Sequence, residues 1–301
     1  MNLASTLAAQ GGAHLSLFDW SNYGALVVLL RNSIIAGAIL GLVGGLVSVF
    51  VMSRDIAFAV HGTSELGFAG ASAGLLFGVG VVTGSLVGSL VTAVVIGFLG
   101  VRARDRNSII AVLMPFGLGL GILCLALYPG RSSNKFGLLT GQIVAVDNPR
   151  LASLTVICVV VLVGLLVIWR PLMFASTDAV VAAGRGVPVK SLSLAFMILL
   201  GLTTAVSVQV VGSLLVLSIL VTPAAAAMRV SASPLVVALL SASFGFASMV
   251  GGILLALGTS VPISPFVTTV SFAIYVVCRV VGGVRGRRGW ARAKAVAEAA
   301  A

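Results

Sequence analysis

Ser33–Met52 reads SIIAGAILGLVGGLVSVFVM, 20 residues without one charged side chain. In hydrocarbon every backbone N–H and C=O must be hydrogen-bonded within its own segment, and ~20 apolar residues in a helix cover the ~30 Å of a bilayer core. The stretch is therefore read as a spanning helix. Comparable runs follow at Ile56–Gly78, Val81–Val101, Ser108–Tyr128, Leu151–Trp169, Leu192–Val208, Val210–Met228, Leu235–Leu257 and Ser264–Val281, nine in all. The sixth and seventh runs, within Leu192–Met228, must be two short spans joined by a tight turn near Gln209. The fold class that follows is all-α, a polytopic transmembrane bundle of about nine spans, with eight to ten compatible with the pattern.

Composition agrees. Of the 301 residues 59% are hydrophobic and 8% charged, against roughly 25% charged in a soluble domain. The formal charge of +11 lies in short clusters between the apolar runs and in the segment from Arg285 to Lys294, without the basic stripe and stacking aromatics of a nucleic-acid surface. Arg54, the cluster Arg102, Arg104 and Arg106, the segment Arg170–Lys190, Arg229 and the basic tail fall on one side if the spans alternate, and the positive-inside rule makes that side cytoplasmic. The chain thus divides into an extracytoplasmic stretch at 1–32, a membrane domain at 33–282 and a basic cytoplasmic tail at 283–301. Residues 1–22 lack a basic region followed by an apolar core, so no cleavable signal is expected. Cys124, Cys158 and Cys278 stand singly in apolar runs and read as small buried hydrophobes.

Glycines recur four apart at Gly37, Gly41 and Gly45, and again at Gly80, Gly84 and Gly88. Small residues at this spacing let membrane helices approach closely; tight packing and a glycine-lined moving gate are the two readings. Asp55, beside Arg54, reads as the N-cap of the second span.

Ionisable residues inside a span are costly and point to function. Here they are His61 and Glu65, whose i, i+4 spacing places imidazole and carboxylate on one helix face. Such a pair suits a divalent cation in passage, because two ligands make a weak and open site; the alternative is a His–Glu hydrogen bond that locks helices together. The longest polar interruption of the second half, Arg170–Lys190, holds a short helix between Ala175 and Arg185. Ser176, Thr177 and Asp178 offer its N-cap, and Gly184 or Gly186 stops it. It is a docking surface or a plain connector. No lysine follows the spacing of a P-loop, and no nucleophile–base constellation is apparent, so the chain is not expected to be an enzyme.

Three stretches resemble those of zinc-, manganese- and iron-type ABC transporter permeases. Ser53–Gly70, with Ala57-Phe58, His61, Ser64-Glu65 and Phe68-Ala69-Gly70, is similar to the family's second-helix motif. Gly137–Val146 is similar to its Leu-Phe-Gly-x-Ile-Leu-x-Val stretch. Gln209–Val216 with Leu220–Ala227 looks like its Val-Val-Gly-x-Leu-Leu-Val and Thr-Pro-Ala-Ala-x-Ala signature. The resemblance implies that His61 and Glu65 stand where the family places pathway metal ligands, although the family more often has histidine at the position of Glu65 and proline at that of Ala69. It makes 174–188, with Phe174, Thr177, Asp178, Gly184, Gly186 and Pro188, a cytoplasmic coupling helix. It also implies a homodimer of permeases, ABC ATPase subunits that bind the ATP, and an extracytoplasmic metal-binding protein. The cargo would be a divalent metal, zinc or manganese and possibly iron, with no permanently bound cofactor, and the location the cell membrane. The rival reading is an ion-gradient-driven secondary transporter in which His61 and Glu65 carry protons.

Overall fold

The computed structural model describes residues 23–99, 103–129, 146–257, 259 and 262–299; side chains at 99, 103–106, 214 and 285–299 are left aside. The Gly137–Val146 motif, apart from Val146, and residues 1–22 of the N-terminal stretch lie outside the described residues. Every described element is helical: α1 Tyr23–Leu29, α2 Arg31–Ser53, α3 Ala57–Leu76, α4 Val81–Leu99, α5 Ala103–Leu127, α6 Asn148–Thr177, α7 Ala179–Gly184, α8 Val189–Val211, α9 Val216–Leu220, α10 Thr222–Val230, α11 Pro234–Ala256 and α12 Ile263–Ala299. A 3-10 turn, Ser213–Leu215, precedes α9.

Seven of the described helices, α2, α4, α5, α6, α8, α11 and α12, are long and apolar enough to cross a membrane. α3 has the length, 20 residues, but carries His61, Glu65 and many small residues, and packs inside the bundle. Eight long helices thus take the place of nine runs. The seventh run, Val210–Met228, is not a continuous span: α8 extends to Val211, the turn lies at Gly212 rather than Gln209, and short pieces follow. Gly212 has φ 87° and ψ 156°, a region open essentially to glycine alone. A second break falls at Val221, just before Pro223.

Interrupted backbone inside a bundle must find other partners, and hydroxyls on the flanking spans supply them. Ser48 Oγ on α2 donates to the Val221 carbonyl at 3.2 Å and accepts from Ala224 N–H at 3.1 Å. On α12, Ser264 Oγ donates to the Val211 carbonyl and Ser271 Oγ to that of Ser218, each at 3.1 Å.

The glycine stripes are close-packing faces. A Cβ on Gly41 would lie 2.6 Å from the Gly245 carbonyl oxygen of α11, and Cβ atoms on Gly70, Gly74, Gly84 and Gly88 would strike backbone across the α3–α4 contact. Gly80 belongs to the turn before α4, with φ 104°, instead of to the helix itself.

Asp55 does not cap the second span. It has φ 51°, a left-handed conformation that aspartate tolerates better than most residues. Its N–H bonds the Met52 carbonyl at 3.3 Å and that of Ile56 bonds Val51 at 3.0 Å. This is the paired bonding of a helix C-terminus, so Asp55 ends α2, and Ile56 is the N-cap of α3.

Arg54 and Arg229 lie at one end, and Arg31 and Arg150 at the other. Phe50 of α2 meets Trp169 of α6 edge-on, centroids 4.8 Å apart, and Phe196 of α8 at 5.8 Å; the Arg54 guanidinium donates to Ser193 Oγ; Gly282 packs on the Arg229 backbone. At the opposite end Tyr23 Oη donates to the Leu254 carbonyl at 3.0 Å, and Asn32 Nδ2 to Asn148 Oδ1 at 2.8 Å.

Candidate functional site

α3 is wedged among its neighbours because its faces are made of small residues. Gly62 faces Ile110 and Met114 of α5, and a Cβ on Gly117 of α5 would lie 3.1 Å from the Glu65 carbonyl carbon. Ser89 Oγ of α4 donates to the Thr63 carbonyl at 3.4 Å. The segment of Ser213 to Leu220 packs on the same helix. These contacts carry the backbone of residues 61–65 into the protein interior.

His61 and Glu65 lie one turn apart as their spacing requires. His61 Nδ1 and Glu65 Oε1 are 3.9 Å apart, with side-chain exposures of 26% and 3%. That separation exceeds a hydrogen bond, so the helix-locking alternative has no such bond to rest on. His61 Nδ1 and Glu65 Oε2 are both buried without a hydrogen-bond partner. The neighbouring hydroxyls turn elsewhere: Thr63 Oγ1 donates to the Ala59 carbonyl at 2.6 Å and Ser64 Oγ to that of His61 at 2.8 Å.

Further buried hydroxyls lack partners, and sequence reasoning passed over them. Ser72 lies two turns beyond Glu65 on α3, while Ser213 and Ser218 belong to the interrupted segment packed on that helix. Their signal was the recurrence of small polar residues within apolar runs, at Ser72 seven residues after Glu65. Among the described residues no three of histidine, cysteine, aspartate and glutamate converge as a metal cluster, so these residues of one copy offer the pair alone.

On the open side of α3 stand its own Phe58 and, just past its end, Phe77, 64% and 75% exposed. Beside Phe77 an apolar groove of about 410 Å³ runs between α3, α4 and α5, past Leu66, Gly70, Ala73, Val87 and Leu120.

The second polar region assembles differently from its expected form. Ser176 and Thr177 belong to α6, which continues through Arg170 and Pro171 to Thr177, and their hydroxyls donate to Leu172 and Met173 carbonyls at 2.6 and 3.1 Å. The N-cap of α7 is Asp178, whose Oδ1 accepts from Val180 and Val181 N–H at 3.0 and 2.9 Å. Gly184 is the last residue of α7, and Gly186, with φ 81°, is the stop. Its N–H and that of Val187 bond Ala183 and Ala182 carbonyls, each at 3.0 Å. Pro188 then caps α8. The Arg185 guanidinium stands 5.8 Å over the Phe174 ring, and Val180 is 82% exposed. The helix has six residues, is locked at both ends and presents valine outward.

Residues 27–282 match the ABC 3 transport family, and the chain belongs to that family. It is 28% identical over 225 residues to the manganese transport system membrane protein MntC of Halalkalibacterium halodurans, covering 74% of this chain and 77% of that one. It is 24% identical over 249 residues to the high-affinity zinc uptake system membrane protein ZnuB of Haemophilus influenzae, covering 82% and 95%. The fold matches the solved structure of PsaBC from Streptococcus pneumoniae in complex with Fab, with a TM-score of 0.75 at 22% identity over 92% of this chain and 95% of that one.

Proposed function

We propose that this member of the ABC 3 transport family is the membrane permease of an importer for a divalent metal ion, zinc or manganese in the first place, with His61 and Glu65 in contact with the ion as it passes. Manganese and zinc are named for its relatives MntC and ZnuB. The observation that carries the site is the buried Glu65 carboxylate, with Oε2 unpartnered, one turn from an unpartnered His61 Nδ1. A buried polar atom without a partner is costly, and in a membrane helix a cation is the natural group to relieve it. Imidazole with carboxylate accepts either metal.

The energy comes from separate ABC ATPase subunits, which bind the ATP; the permease itself catalyses no reaction. Their docking element is α7 with its flanks, Phe174, Thr177, Asp178, Gly184, Gly186 and Pro188, at the end of the bundle that holds Arg54 and Arg229. That end is the cytoplasmic one by the positive-inside rule, and the C-terminus lies there in the cell membrane's inner aqueous phase. A second copy of the permease covers the open side of α3 and brings a second His61–Glu65 pair toward the first. An extracytoplasmic binding protein delivers the ion to the opposite end.

The test is uptake of radiolabelled zinc and of manganese by cells expressing the complete transporter, wild type against His61→Ala and Glu65→Ala at matched membrane abundance. Selective loss of one ion's uptake in both variants is the expected result and names the cargo. Unchanged uptake in both returns the two residues to structural roles, and no uptake of either metal by wild type overturns the metal assignment.

A further inference from the structure

α12 is the least enclosed of the seven long helices, with 17% of its span window buried against 72% for α8. Its outward flank carries Val276, Val280 and Val284, exposed by 40%, 60% and 45%, as expected of a surface in lipid. Set into this apolar flank is Arg279, five residues before Val284. Its guanidinium donates to the Tyr275 hydroxyl at 3.2 Å. Arg229, in the last turn of α10, is brought beside α12 by the contact of its backbone with Gly282. Neither arginine has a carboxylate within ion-pair distance among the described residues. A hollow of about 310 Å³ lies alongside, lined by Arg279, Gly283 and the three valines.

Two arginines on adjoining helices repel unless an anion stands between them, and the fork of arginine matches phosphate oxygens in pairs. The depth fits: the site is about five residues from the end of the span, where long cationic side chains reach toward lipid headgroups. Along the chain the same helix goes on to Arg285, Arg287 and Arg288. We propose that Arg229, Arg279 and Tyr275 bind the phosphate of an anionic phospholipid, whose acyl chain lies along Val276, Val280 and Val284. The apolar wall selects a lipid over a free anion, since inorganic phosphate has nothing to set against the valines. Because α10 continues the interrupted segment that packs on α3, the bound headgroup pins one end of that segment to α12.

The experiment reconstitutes the complete transporter in phosphatidylcholine vesicles and measures, by electron paramagnetic resonance, the motionally restricted fraction of spin-labelled phosphatidylglycerol against spin-labelled phosphatidylcholine. Wild type should prefer phosphatidylglycerol by about fivefold, given the attraction of interfacial arginine for anionic headgroups. The double variant Arg229→Gln/Arg279→Gln should fall to near parity while still assembling with its ATPase, and a chain ending at Val284 should keep the preference. The proposal is overturned by parity in wild type, by a preference that survives the double variant, or by its loss on truncation alone. It is overturned equally if inorganic phosphate at matched ionic strength displaces the labelled lipid as well as unlabelled phosphatidylglycerol does.

Discussion

At the break between α8 and α10 the backbone is interrupted inside the bundle, and Ser48, Ser264 and Ser271 reach in from two flanking helices to bond the freed carbonyls. At His61 and Glu65 the backbone is intact, yet two buried atoms of ionisable side chains are left without partners, where at the break only the hydroxyls of Ser213 and Ser218 are. The same low-dielectric surroundings act on both regions, and both carry polar groups at a cost. The backbone carbonyls freed at the break are satisfied by other parts of the chain. The ionisable pair is not, and on the proposed function its missing partner is the transported ion.

The sharpest way to break this contrast is to replace Glu65 by leucine. Uptake of the transported metal should fall by at least about tenfold, the size of loss that follows removal of a group holding or supporting a metal. Thermal stability of the purified transporter should stay level or rise, because a buried group without a partner is removed. A large drop in melting temperature with uptake preserved per folded molecule would make Glu65 structural after all.

At the break the signs reverse. Gly212→Ala forces a side chain into the region at φ 87° and should cost about 1–3 kcal/mol, read as a lower melting temperature and reduced membrane abundance. Ser48→Ala removes a donor and an acceptor together and should cost about 1–2 kcal/mol, with uptake per folded molecule close to wild type. If Ser48→Ala abolishes uptake while stability is kept, the division between the two regions fails. The smallest effect belongs to α7: Asp178→Ala loses the cap and about 1 kcal/mol of local helix stability, seen as faster amide exchange at Val180 and Val181. Transport-coupled ATP hydrolysis in the assembled complex should weaken with it.

Much of the fold was legible because hydrocarbon imposes a coarse requirement, length and apolarity, that single runs such as Ser33–Met52 display directly. The break was not, since Val210–Met228 is apolar throughout and hydropathy cannot see a φ angle; Gly212 and Pro223 were the only marks of it. The end of α6 was misplaced for the converse reason. Arg170 and Pro171 look like a stop, but the helix passes through both, since a proline near a helix end loses little when neighbouring packing holds the chain. Asp55 sat one residue from a helix start and was assigned to it, although the decisive fact was its left-handed backbone. For the site, the i, i+4 spacing of His61 and Glu65 was in the sequence. The unequal burial of the two side chains arises only when Gly117 and its neighbours on α5 close over Glu65.

One feature of α6 bears on how an event at one surface is felt at the other. Its 30 residues run without a break from Asn148 to the residue before the cap of α7, a rod of about 45 Å at the usual rise per residue. Pivoting such a rod by about 5° around its middle carries each tip through about 2 Å, roughly the displacement by which packed helices shift in switching proteins. The Asn32–Asn148 contact and the short capped helix thus hang on opposite arms of one lever, with Pro171 as a softer joint near the tip that carries α7.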